Sequence, residues 1–108
     1  MTMPVAGEIW LADIPFTSGA ASKLRPILVL WADAADVVAA VSEAASRSLT
    51  DVPLDDWRVE GLVVPSTVRL SRLDCLEQVR LRRRLGVITL ADAARVKVAW
   101  SQHVQLRF

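Results

Sequence analysis

Arg25 stands immediately before Pro26, and an apolar run through Ala32 follows. Proline confines the preceding residue to extended backbone, so Arg25 is held at the mouth of a strand. Its guanidinium is planar, permanently charged and shaped for phosphate. A second apolar stretch, residues 37–41, ends in the hydroxyl of Ser42, and Thr17, Ser18 and Ser22 add hydroxyls to the segment before Arg25. When a ribose 2′-hydroxyl is the nucleophile, a protein need only orient it, neutralise the pentavalent phosphate and assist the leaving oxygen. An arginine and a hydroxyl suffice for that. Taken alone, these residues favour a plainer reading, an ordinary arginine before a strand and a strand-end serine.

Other chemistries find little support. The one histidine, His103, and the one cysteine, Cys75, have no zinc-site spacing. His103 reads as a surface or packing residue and Cys75 as a small buried hydrophobe. The glycines at 7, 19, 61 and 86 form no phosphate loop, and no serine sits in a Gly-x-Ser-x-Gly elbow. Asp55 and Asp56 read as turn residues rather than an acid/base pair. No metal or cofactor is expected.

The 108 residues amount to about one domain, and 53% are hydrophobic, too many for a disordered chain. A lone cysteine excludes an internal disulfide framework. No apolar run approaches the roughly 20 residues of a membrane helix, and the first ten residues do not read as a signal peptide. A reducing cytoplasm is the expected compartment. The net charge of +1 conceals an asymmetry: residues 1–66 carry 4 bases and 9 acids, residues 67–108 carry 9 bases and 3 acids. Six of the later bases lie between Arg69 and Arg84. They suit an anion-facing surface, although a solvated face complementing the acidic half is the plainer reading.

Patterning supplies the elements that must position these groups. Residues 7–14 read as a strand, 15–24 as a loop, and Pro26 as the first residue of a second strand, because it lacks a ladder donor. A third strand spans 36–42, and 48–54 form an edge strand ended by Pro53. Residues 58–70 read as a β-like stretch bent at Gly61 and Pro65, and 73–79 as a further short strand. Gly86 reads as a helix C-cap closing residues 82–85. Thr89 to Asp92 has capping-box form, and Ala93, Ala94, Val96, Trp100 and Val104 follow at helical spacing, giving a last helix of about four turns. The sum is one mainly β domain: a small, strongly bent barrel with a C-terminal helix against it.

Gly7-Glu8-Ile9-Trp10-Leu11-Ala12-Asp13, a loop, then Arg25-Pro26-Ile27-Leu28-Val29-Leu30 resembles the opening of the MazF/PemK family of bacterial toxin endoribonucleases. Val38-Ala39-Ala40-Val41-Ser42 looks like that family's third strand, which ends in a catalytic Thr or Ser. Trp57, Gly61-Leu62, Pro65-Ser66-x-Val68-Arg69-Leu70 and Leu85-Gly86 before the capped helix are similar to its PemK-like branch. The resemblance spans nearly the whole chain. It implies an SH3-like barrel of five to seven short strands with a C-terminal helix, a homodimer, metal-independent cleavage of single-stranded RNA, and inhibition by a cognate antitoxin protein. Arg25 and Ser42 fall on the catalytic positions. Phe16, Thr17 and Ser18, with Ser22 and Lys23 at the end of the same loop, fall where RNA is contacted, and Ser71 and Arg72 where relatives carry base-reading residues. Two departures stand out. Ser71-Arg72-Leu73-Asp74-Cys75 replaces the family's usual segment, so no base preference transfers, and Ser42 lacks the methyl that restricts a threonine rotamer, which points to reduced activity.

Two other functions use the same features. One is a non-cleaving nucleic-acid or gyrase binder on this fold, although the chain keeps Arg25-Pro26 and ends Gln105-Leu106-Arg107-Phe108, unlike the gyrase poisons. The other is a structural interaction module with Arg25 in a salt bridge.

Overall fold

The structure is a computed structural model and describes residues 3–15, 19, 21–43 and 48–108. Among the described residues six strands and one helix follow in order: β1 Glu8–Pro15, β2 Ser22–Asp33, β3 Asp36–Glu43, β4 Asp51–Pro53, β5 Thr67–Glu77, β6 Leu81–Val87 and α1 Leu90–His103. A 3-10 turn, Gln78–Arg80, links β5 to β6. All pairings are antiparallel, in the order β4-β5-β3-β2-β1-β6. β4 and β6 are therefore edges, and the bent sheet does not close into the expected barrel. With three residues ended by Pro53, β4 reaches only β5.

Side chains alternate across the strands and bury two cores. Ile9, Leu28, Ala40, Val68 and Leu70 meet Val96 of α1 in one. Ala12, Ile14, Ile27, Val29, Val37, Ala39, Leu76 and Leu81 form the other, with Trp10 packed against it. The helix starts where its sequence says it should: Thr89 is the N-cap, and its Oγ1 accepts the amide of Asp92 at 3.2 Å. Such a cap contributes about 1 kcal/mol.

Several expectations are corrected. Pro26 lies inside β2, opposite Leu11, not at the strand's start. It is tolerated because β3 pairs with β2 only from Ile27 onward. Residues 58–66 are not strand. Amides of Glu60, Gly61 and Leu62 bond back to the carbonyls of Asp56, Arg58 and Trp57, which winds this segment into turns. The separate strand expected at 73–79 is, as far as Glu77, the second half of β5, and its last two residues belong to the 3-10 turn. Residues 82–85 are β6, and Gly86 sits within it opposite Ile9 rather than capping a helix. Long-range ion pairs fix that strand: Arg82 to Asp13 and Arg84 to Glu8, the latter at 2.6 Å. Cys75 is exposed, because Leu76 takes the inward position beside it on β5.

Candidate functional site

Arg25 and Ser42 occupy neighbouring strands at one end of the sheet. The β2–β3 ladder runs out at Ile27 opposite Val41; Arg25 lies two residues beyond on β2 and Ser42 one beyond on β3. Arg25 is half-buried and pairs with Ala12 of β1, and its side chain makes no hydrogen bond or ion pair with another described residue. Ser42 is buried and faces Val68 across β5. Ala12 belongs to one core and Val68 to the other, so the two groups approach the sheet's end from different sides.

The remaining sequence candidates divide. Ser22 and Lys23 are exposed at the start of β2, on the same end as Arg25. Phe16, Thr17 and Ser18 lie outside the described residues. Ser71 is exposed and Arg72 half-buried midway along β5, where β5 slips against β3 between the Ala40 and Ser42 pairings. Among the described residues no group of three His, Cys, Asp or Glu side chains converges on a metal position.

Sequence reasoning missed the burial of three acids, although it placed Asp92 in the helix cap. The Asp51 side chain is wholly buried; it accepts Arg69 Nε at 3.3 Å and the amide of Ser48 at 3.2 Å. Glu60 and Asp92, both fully buried, bind the turn at 55–61 to the start of α1. Asp92 accepts the amides of Asp55 and Asp56 at 3.2 and 3.0 Å, while Thr89 Oγ1 donates to Asp56 at 2.7 Å. Asp55 and Asp56 thus act as a clasp as well as a turn. Glu60 Oε2 accepts the Thr89 amide at 2.9 Å. Burial, reinforced by the Asp92 and Asp56 charges, pushes the Glu60 carboxyl up to about 7, so it is protonated over the acidic range, and among the described residues its Oε1 has no hydrogen-bond partner. Burial opposes ionisation of Asp92 as well, but the two amides, the Glu60 proton and Arg95 outweigh it and hold that carboxyl low. The only signal for Glu60 was its place one residue before a glycine in a turn.

Away from these residues, an apolar groove of about 630 Å³ runs between β2 and α1, lined by Leu28, Leu30, Trp31, Val96 and Trp100 among others. The Trp31 and Trp100 rings meet edge to face at 6.3 Å. Neither Arg25 nor Ser42 lines it. Among the described residues no helix is long and apolar enough to cross a membrane.

Comparison with known proteins bears on the whole chain. Residues 6–103 match the family model described as PemK-like, MazF-like toxin of type II toxin-antitoxin system. A search of curated protein sequences finds no match. Among solved structures, an endoribonuclease from Mycobacterial species superposes with a TM-score of 0.74 at 21% identity, over 100% of this chain and 97% of that one. An endoribonuclease in complex with its cognate antitoxin, also from Mycobacterial species, gives 0.73 at 21% identity, covering 98% and 99%. The Mycobacterium tuberculosis toxin MazF-mt6 gives 0.73 at 23% identity, covering 94% and 99%. These likenesses establish the fold, and the family match, running over nearly every element described above, establishes membership: the chain belongs to the PemK-like, MazF-like toxins of type II toxin-antitoxin systems.

Proposed function

We propose that the chain is an endoribonuclease toxin that cleaves single-stranded RNA in the cytoplasm as a homodimer and is held in check by a cognate antitoxin protein. The observation that carries this reading is the family match over residues 6–103, within which Arg25 and Ser42 lie on neighbouring strands just beyond the last β2–β3 pairing. Solved structures of similar fold are named endoribonucleases, one of them in complex with its antitoxin. The half-buried position of Arg25, with no described side-chain partner, supports a role toward a ligand rather than in an internal salt bridge.

In this mechanism the RNA crosses the end of the sheet, where Ser22 and Lys23 add polar and cationic contacts, and Ser71 and Arg72 meet bases. The ribose 2′-oxygen attacks the adjacent phosphorus and loses its proton. The bond from phosphorus to the 5′-oxygen breaks, and that oxygen gains a proton, leaving a 2′,3′-cyclic phosphate and a 5′-hydroxyl. Arg25 stabilises the pentavalent phosphate electrostatically; a guanidinium is too weak an acid at neutral pH to be the main proton donor. Ser42 holds a non-bridging oxygen and does not attack.

The test is a single-stranded RNA incubated in EDTA with wild type and with Arg25→Ala. Cleavage by the wild type alone, with cyclic-phosphate ends, is the expected result. Equal cleavage by both proteins removes Arg25 from the chemistry, and binding without cleavage by the wild type favours a non-cleaving binder.

A further inference from the structure

Between the pairings Ala40–Leu73 and Ser42–Val68, β3 advances two residues while β5 advances five. Residues 69–72 therefore stand against the single residue 41 of β3, three more than the ladder needs, and bulge beside Ser42. Bulges of this kind re-aim side chains and recur next to active sites. β4 holds this one from its other side: Arg69 lies opposite Asp51, and the Leu70 amide donates to the Thr50 carbonyl at 3.0 Å. Leu70 is buried, whereas Ser71 next to it is exposed.

The pin in this arrangement is Asp51. Its carboxylate, fully withdrawn from solvent, ties Arg69 Nε on the bulge to the Ser48 amide at the entrance to β4. A carboxylate is costly to bury, and an apolar pair at such a place is often no less stable. A turn-closing role accounts for the Ser48 contact but not for the cross-strand arginine. We propose that Asp51 is a positioning residue for RNA recognition: by clamping Arg69 it sets the shape of the 69–72 bulge and so the angle at which Ser71 and Arg72 meet a base. This rests on the RNA-directed reading above.

The experiment measures binding of a set of uncleavable 2′-O-methyl single-stranded RNA oligomers of differing sequence by fluorescence anisotropy, alongside kcat and KM on the cleavable forms. Asp51→Asn and Arg69→Met should weaken binding to the preferred sequence by about tenfold, flatten the preference among sequences, raise KM and leave kcat within about twofold. Arg69→Lys, which keeps the charge, should recover most of the preference. Should Asp51→Asn fail to fold, Arg69→Met carries the same expectation. Folded variants that bind and discriminate like wild type overturn the proposal, as does a wild type with no preference, or a collapse of kcat with preference intact. Because the oligomers cannot be cleaved, failure of the nuclease reading shows separately, as a wild type that binds these oligomers with a sequence preference but leaves their 2′-hydroxyl counterparts uncut.

Discussion

Glu60 and Asp92 lie buried together at the start of α1, close enough for each charge to shift the other's carboxyl, and neither exposes surface to solvent. Two buried carboxyls this near cannot both ionise cheaply, and the balance favours a neutral Glu60 beside a charged Asp92. The pair holds the turn at 55–61 against the helix that packs on the first core.

The pH dependence of stability follows from that proton. Raised from 4.5 to about 7 in the folded protein, the Glu60 carboxyl favours folding fully below its unfolded value and loses that advantage as pH climbs through 7. The loss is on the order of 3 kcal/mol. Glutamine mimics the protonated form, able to accept from Thr89 and donate toward Asp92. Melting temperatures taken from pH 5 to 9 should therefore fall for wild type and stay level for Glu60→Gln, which should overtake wild type above pH 7. A parallel decline in both proteins would locate the pH dependence elsewhere.

The same turn makes a steric prediction. Gly61 has φ +90°, and a Cβ there would strike the Leu85 carbonyl; a Cβ on Gly86 would strike the carbonyl of Glu60. The two glycines let the turn lie directly on β6. Gly86→Ala faces backbone on the opposing side, which cannot rotate away, and should cost at least about 2 kcal/mol in urea unfolding. Gly61→Ala adds the backbone penalty and should cost more. Gly19→Ala, at φ +72° but with nothing within 4 Å of its Cβ, should lose only about 1 kcal/mol. Equal, small losses at all three positions would mean that the turn and β6 are not in contact.

What could be read from the sequence follows the range of the forces involved. β1, β3, β4 and the capped helix rest on local signals, such as alternation, Pro53 and the Thr89–Asp92 cap, and these act within a few residues. β6 was illegible because three successive arginines carry no strand signal; their partners, Asp13 and Glu8, lie some seventy residues away in sequence. The turn at 58–62 failed for the same reason, since Glu60 is buried only when Thr89 and Asp92 are brought to it. Arg25 and Ser42 stood out as candidates because a proline and an apolar run drew attention to them, although β2 begins at Ser22, three residues before Arg25, and not at Pro26. Asp51 could not, because its meaning depends on the register of β4 against β5.

Ser42 offers the sharpest remaining test of the proposed chemistry. It is 8% exposed, directly across from Val68, at the end of a strand whose Ala40 is fully buried. If its hydroxyl binds a phosphate oxygen as that oxygen gains charge, the bond strengthens toward the transition state, and removing it lowers kcat more than it raises KM. Ser42→Ala should lose on the order of a hundredfold in kcat, the usual cost of one preorganised donor, with its melting temperature nearly unchanged. Ser42→Thr restores the methyl that narrows the choice of χ1 rotamers and should retain or exceed wild-type kcat, provided the added carbon fits beside Val68. Single-turnover cleavage of a saturating RNA separates these outcomes from binding. An alanine variant that cleaves at the wild-type rate would leave Arg25 to act without the serine and reduce Ser42 to a packing residue.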